Sequence, residues 1–166
     1  EYEAIPVDTR KGEQHAPPYI AINPNAKAPS IVDEGNVIFD SNAILLYLAE
    51  KTGKFIPDNT PKSRANLLSW LMFVATGIGP YSGQSVHFQH MAPEKIKYAI
   101  NRYVFEAERH YDILNDRLAN NKYMLGDTYT IVDMCVWGWT RMLPKVIGEG
   151  ELEKRVNLNR LMTEIN

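Results

Sequence analysis

The chain has 166 residues, 45% apolar and 23% charged, with a formal net charge of −2. That length can bury a sizeable core in one domain or in two small ones, and the charge balance gives no electrostatic reason to expect a nucleic acid or an anionic membrane as partner. No apolar run is long enough to cross a bilayer, nothing at the start resembles a secretory signal, and the lone Cys135 fits a reducing compartment, so the expected location is cytoplasmic.

Residues 1–57 carry short, mixed signals. Ile5 and Val7 alternate in a possible strand before Asp8, and Lys11-Gly12-Glu13-Gln14 reads as a polar loop. Pro17-Pro18 can open a short helix through Tyr19 to Ile22, because proline is tolerated in a first helical turn. Ser30-Ile31-Val32-Asp33 and Asn36-Val37-Ile38-Phe39 flank a turn at Glu34-Gly35 and suit paired strands. Ser41 to Thr52 then reads as a helix, with Ser41 as N-cap and Gly53 just past the end. Its run from Ala43 to Ala49 is apolar almost all round, which predicts a largely buried helix.

Residues 58–62 read as a linker, and the composition from 63 to 166 is helical. Ser63 to Thr76 is one candidate helix, broken near Gly77, Gly79 and Pro80. Pro93 fits the first turn of a long helix through about Ala119, whose apolar positions Ile96, Ala99, Ile100, Tyr103, Val104, Ala107, Tyr111 and Leu114 recur at helical spacing. Thr130 and Asp133 form the polar pair of a capping box, ahead of an apolar helix from Met134 to Trp139. Leu152 to Ile165 is a final amphipathic segment. A domain that opens on one short strand and a hairpin has too few strands to cover its own helix. The expectation is therefore that its first strand and helix precede residue 1.

Two features carry chemistry. Pro29 stands at the head of the first hairpin strand. It either begins an edge strand or takes a cis bond that turns the main chain of Ala28 outward, where a peptide-like ligand could pair with it. Asp40-Ser41 stands at the start of the following helix. The pair is either a plain cap with an acidic neighbour or a site for the head group of an α-amino acid. In the second case the helix amides and the Ser41 hydroxyl take the carboxylate, and Asp40 takes the ammonium. Both features would lie at one end of the same hairpin.

With these residues in view, 23–57 closely resembles the second half of the thioredoxin-like domain of glutathione S-transferases. Gly83-Gln84, His87-Phe88, His90, Ala92-Pro93 and the run from Tyr98 to Tyr103 resemble the nu class, the disulfide-bond oxidoreductase branch, and its yeast prion-regulator relatives. Gly126 to Met134 is similar to the capping-box segment of the whole superfamily. The resemblance implies a thioredoxin-like α/β domain joined to an all-helical bundle, with glutathione as co-substrate, no metal, and a homodimer. It also implies that Ala28, before a cis Pro29, pairs with the cysteinyl part of glutathione, and that Asp40 and Ser41 hold the γ-glutamyl head. By the same resemblance Gln14 contacts glutathione, Lys27 approaches its glycyl carboxylate, and Arg102 reaches it across the dimer interface. Thr130, Asp133 and Pro29 are structural. The residue that activates the sulfur, in a threonine and asparagine neighbourhood of the nu class, lies before Glu1. Asp40 stands where many relatives carry glutamate.

The implied activity is reduction of small disulfides by glutathione, or its transfer to electrophiles. The rival is a non-catalytic glutathione-binding regulator of the same fold. Cys135, in an apolar helix, reads as core rather than nucleophile. His87 and His90 lack the further ligands of a metal site. Trp70, Trp137 and Trp139 read as fillers of the helical core or of a dimer contact, and Tyr81 and Phe88 as lining a hydrophobic cleft.

Overall fold

A computed structural model describes residues 2–165. The chain divides into two compact units, Glu1–Thr52 and Gly53–Asn166. The first is mixed α/β and the second is helical, as expected.

In the first unit, residues 2–8 hold no regular element and Ile5 is 78% exposed. The expected Ile5–Val7 strand does not form, because no neighbouring strand among the described residues offers it a ladder. A 3₁₀ turn spans Glu13–His15, and α1 spans Pro17–Ile20 with proline in its first turn. Strands β1 (Ser30–Asp33) and β2 (Asn36–Phe39) pair antiparallel, with Ser30 opposite Phe39 and Asp33 opposite Asn36. Their two-residue turn puts both Glu34 (φ 52°) and Gly35 (φ 83°) in the left-handed region, as a type I′ turn requires.

Helix α2 (Ser41–Thr52) packs on this hairpin. Gly53 follows it at φ 66°, a left-handed C-terminal stop that glycine adopts without steric cost. Its burial is narrower than its composition suggests: Ile44 and Ala49 are buried, whereas Leu48 is 38% exposed. A two-stranded hairpin covers only one side of a helix, and the apolar residues on the other side find no cover within the unit. At the turn end, Tyr47 Oη donates to Asp33 Oδ2 at 2.7 Å and Lys51 Nζ reaches the same oxygen at 2.5 Å. Lys51, and after it Tyr47, hold the Asp33 carboxyl below its ordinary 3.8.

In the second unit, helix α3 (Pro61–Phe73) opens on Thr60, whose hydroxyl accepts the Ser63 N–H at 3.2 Å. The expected break near Gly77, Gly79 and Pro80 is absent. A π turn at Val74–Ile78 leads directly into α4 (Gly79–Val86), and a second π turn covers His87–Met91. The glycines serve close approach instead of breakage. A Cβ on Gly77 would sit 2.5 Å from the His110 ring, and one on Gly79 would sit 3.1 Å from Trp139. Pro80 enters just after the wider turn, in which Gly79 N–H bonds Val74 O five residues back.

Helix α5 (Lys97–Ala119) begins after Ile96, its N-cap residue, so Pro93 lies outside it. Pro93 instead leaves Ala92 extended (φ −62°, ψ 138°) at the end of the preceding helix. The remaining helices are α6 (Ile131–Thr140), α7 (Leu143–Val146), α8 (Glu151–Lys154) and α9 (Val156–Ile165). The expected continuous segment from Leu152 is cut at Arg155. That guanidinium is buried and bonds Asp112 Oδ1 at 2.8 Å and Glu151 O at 2.9 Å, and its backbone leaves the helical region to do so. The core joins Leu67 and Leu71 of α3, Ala107, Tyr111 and Leu114 of α5, and Val132 and Val136 of α6. Tyr111 Oη meets Ser82 Oγ at 3.0 Å and Trp139 O at 3.2 Å. Burial pushes its phenol up to about 12.

The capping box ahead of α6 is present. Asp133 Oδ2 accepts the Thr130 N–H at 2.8 Å, and Oδ1 accepts the Met124 N–H at 2.8 Å. One carboxylate thus ties the preceding loop to the helix start. Burial raises its pKa despite these three donors, the third being the Thr130 hydroxyl.

Candidate functional site

The loop before β1 is shaped by Asn23, which is 1% exposed. Its Oδ1 accepts the Asn25 N–H at 3.0 Å, closing the short turn that an asparagine favours. Its Nδ2 donates to Lys27 O at 2.5 Å and to Ser30 Oγ at 3.1 Å. Tyr19 Oη donates to the same carbonyl at 2.7 Å and lies 3.1 Å from Ser30 Oγ. Between Lys27 and Ser30 the Ala28–Pro29 peptide bond is cis. The N–H and C=O of Ala28 have no hydrogen-bond partner among the described residues.

The register of the hairpin places the next element. Because Ser30 faces Phe39, the pairs Ala28-Pro29 and Asp40-Ser41 meet at the same end of the two strands. Asp40, and not Ser41 as expected, is the N-cap of α2. Its Oδ1 accepts the N–H groups of Asn42 at 2.9 Å and Ala43 at 3.2 Å, and its own carbonyl takes the first helical bond from Ile44. The reach of the aspartate decides this: its carboxylate can meet the second and third helical amides at once. Asp40 sits at φ 74°, a left-handed conformation that a non-glycine residue holds only under constraint from its surroundings. Ser41 becomes the first helical residue. Its hydroxyl and N–H have no partner among the described residues, and the residue is exposed to solvent.

The other expected ligands are less gathered. Gln14 lies in the 3₁₀ turn, and its Oε1 is buried with no hydrogen-bond partner among the described residues. Lys27 exposes its side chain while its carbonyl anchors the loop. Arg102, on α5 in the second unit, is half-exposed and pairs with Glu106. Arg109 approaches the other Glu106 oxygen at 3.0 Å. The Arg109 hydrogen bond, with Arg102 beside it, keeps the Glu106 carboxyl below its ordinary range.

Around that cluster runs a band of rings. Phe88 stacks on Tyr103 at 5.2 Å, and Tyr81 lies 4.9 Å from His110 and 6.4 Å from Tyr103. All but His110 are half-buried. His87 turns edge-on to Phe88, and His90 Nε2 meets Lys145 O at 2.9 Å. Among the described residues no three His, Cys, Asp or Glu side chains converge as a metal would need. Cys135 is buried in α6. Trp70, Trp137 and Trp139 are half-buried. No helix among the described residues is long and apolar enough to cross a membrane.

Sequence reasoning missed the parts played by Tyr19 and Asn23. Asn23 heads an Asn-Pro-Asn turn, a signal for local side-chain bonding, but nothing in the sequence shows that its amide reaches forward to Lys27 and Ser30.

Comparison with known proteins bears on the whole chain. Residues 1–50 match the family model of the glutathione S-transferase N-terminal domain, and residues 72–166 match that of the C-terminal domain. The disulfide-bond oxidoreductase YfcG of Escherichia coli is 45% identical over 146 residues, covering 84% of this chain and 67% of that protein. The disulfide-bond oxidoreductase YghU of the same organism is 42% identical over 144 residues, again covering 84% of this chain but 49% of its own length, so the chain spans about half of that relative. Among solved structures, the glutathione transferase YghU from Streptococcus pneumoniae, complexed with glutathione, superposes with a TM-score of 0.89 at 34% identity over 99% of this chain and 67% of that one. Matched in both its halves and along nearly all its backbone, the chain belongs to the glutathione S-transferase family, with a thioredoxin-like N-terminal domain and a helical C-terminal domain.

Proposed function

We propose that this chain is the glutathione-handling part of a glutathione-dependent disulfide reductase. The observation that carries the proposal is the set of unpaired groups at one end of the hairpin: the main chain of Ala28, and the amide and hydroxyl of Ser41. Together they match the two polar ends of a γ-glutamylcysteine unit. Ala28 pairs with the cysteinyl main chain as one strand pairs with another. Ser41 and the α2 N-terminus take the γ-glutamyl carboxylate. Asp40 keeps Oδ1 on the helix and offers Oδ2 to the ammonium. Its left-handed backbone is the kind of conformation found at ligand clamps. Gln14 Oε1, a buried acceptor without a donor, is satisfied by a ligand N–H. Lys27 answers the glycyl carboxylate.

Arg102 is assigned to a glutathione held by the partner subunit of a homodimer, and it must release Glu106 to serve there. A cytoplasmic, reducing setting agrees with a chain that has one cysteine. The chemistry needs no protein thiol. Glutathione thiolate attacks one sulfur of the substrate disulfide, forms a mixed disulfide and expels the other sulfur as thiolate. A second glutathione thiolate then attacks the glutathione sulfur of that mixed disulfide, giving glutathione disulfide and releasing the second substrate thiolate. The protein's share is to bind, orient and stabilise charge.

The test is turnover of a small mixed disulfide with glutathione by the full-length protein, beside a standard electrophile assay. Disulfide turnover well above conjugation supports the reductase. Conjugation alone assigns a transferase, and binding with neither activity assigns a regulatory protein. Absence of glutathione binding by calorimetry overturns the site itself.

A further inference from the structure

We infer that Tyr19 and Asn23 are positioning residues that set the main chain of Ala28 for its ligand, an inference that rests on the reading of the site given above. The carbonyl directly before Ala28, that of Lys27, accepts from Tyr19 Oη at 2.7 Å and from Asn23 Nδ2 at 2.5 Å. The hydroxyl directly after Ala28-Pro29, that of Ser30, lies 3.1 Å from each of the same two groups.

The direction of every bond follows from chemistry. Lys27 O can only accept, so Tyr19 Oη and Asn23 Nδ2 must donate to it. The Tyr19 proton is then spent, so Ser30 Oγ donates to Tyr19 and accepts from Asn23 Nδ2. Asn23 Oδ1 is fixed by the Asn25 N–H at 3.0 Å, and the Asn23 N–H donates to Tyr19 O at 2.9 Å. The ring of four groups closes with every donor used, and Asn23 is buried within it.

Both flanks of Ala28-Pro29 are therefore held, while the N–H and C=O of Ala28 remain open. A strand-like ligand needs those two groups at a fixed spacing and direction. A loop already held in that geometry loses less conformational freedom on binding, and affinity rises accordingly. Tyr19 and Asn23 thus act through Ala28 without touching the ligand.

The test uses Tyr19→Phe and Ser30→Ala, which open the ring while keeping the side-chain volume nearly intact. Tyr47→Phe serves as control, since it deletes a hydroxyl bond of similar length at the far end of the same hairpin. Glutathione affinity by calorimetry is expected to fall about three- to tenfold in each ring variant. It should stay unchanged in Tyr47→Phe, with similar shifts of melting temperature in all three. Hydrogen exchange should show glutathione protecting the Ala28 amide in the parent and less so in the ring variants, while protection at Ser41 persists. Parent-like affinity in Tyr19→Phe and Ser30→Ala, or an equal loss in Tyr47→Phe, overturns the positioning role and leaves the site standing. A parent chain that binds no glutathione overturns both.

Discussion

Two aspartates secure helix starts among the described residues in opposite ways: Asp133 as the third residue of a capping box with Thr130, and Asp40 as the N-cap itself. Asp133 is buried and its carboxylate meets the N–H groups of Met124 and Thr130 and the Thr130 hydroxyl. Asp40 faces solvent, bonds its helix through Oδ1, and sits in a strained left-handed backbone beside Ser41, which has no side-chain partner among the described residues. A helix start whose carboxylate is engaged through both oxygens is a structural joint. One that leaves an amide, a hydroxyl and a carboxylate oxygen open, at the price of local strain, has the form of a binding site. The contrast separates stability from function, and each side can be broken on its own.

The largest effect is expected at Asp133. Asp133→Ala opens the capping box and leaves the Met124 and Thr130 amides buried and unpaired, at a cost of about 3–5 kcal/mol, from one lost box and two orphaned donors. Chemical denaturation should show it as a large fall in midpoint at constant slope. A loss below about 1 kcal/mol would show that the joint is not closed as described. The next effect concerns affinity. Asp40→Ala combined with Ser41→Ala should weaken glutathione binding at least tenfold by calorimetry, since an ammonium and a carboxylate contact both go. Ser41→Ala alone should change stability by less than about 0.5 kcal/mol, because its hydroxyl bonds nothing among the described residues.

Asp40→Gly sharpens the comparison. Glycine accepts φ 74° without strain but cannot cap with a side chain, and the two changes oppose each other. Stability should stay within a few tenths of a kcal/mol while glutathione affinity falls, because the ammonium contact is lost. A large stability loss would show that the cap outweighs the strain.

The smallest effect is the pH response of Asp33, held below its ordinary 3.8 by Lys51 and Tyr47. A lowered carboxyl stabilises the fold above its unfolded pKa and loses that contribution as the pH falls through the native value. The melting-temperature difference between the parent and Asp33→Asn should therefore be constant above about pH 5 and shrink below about pH 4. Asp133, raised by burial, has the opposite sign: its contribution is fullest below the unfolded pKa and declines as the pH rises through the native one. A difference for Asp33→Asn that grows in acid would contradict the Lys51 contact.

Much of this was legible in the residues. The hairpin is legible from the runs Ile31-Val32 and Val37-Ile38 on either side of Glu34-Gly35, and the capping box from Thr130 and Asp133, because both signals are local. Helix boundaries near proline and glycine are not legible in this way. Gly77 and Gly79 look like breakers, but they make room for His110 and Trp139, which come from distant segments. Arg155 looks like an ordinary helical residue until Asp112 and Glu151 draw it inward.

By itself, the sequence determined the strands, the turn, the apolar helices and the presence of an acid and a hydroxyl at a helix start, since each depends on neighbours a few positions apart. Tertiary structure alone decided that Asp40 takes the cap and frees Ser41, that Ala28 keeps its main chain open, and that Tyr19 and Asn23 hold the residues on either side of it. Those outcomes depend on hydrogen bonds closed across turns and on the register of two strands. The length and direction of such bonds are set only when the chain has folded.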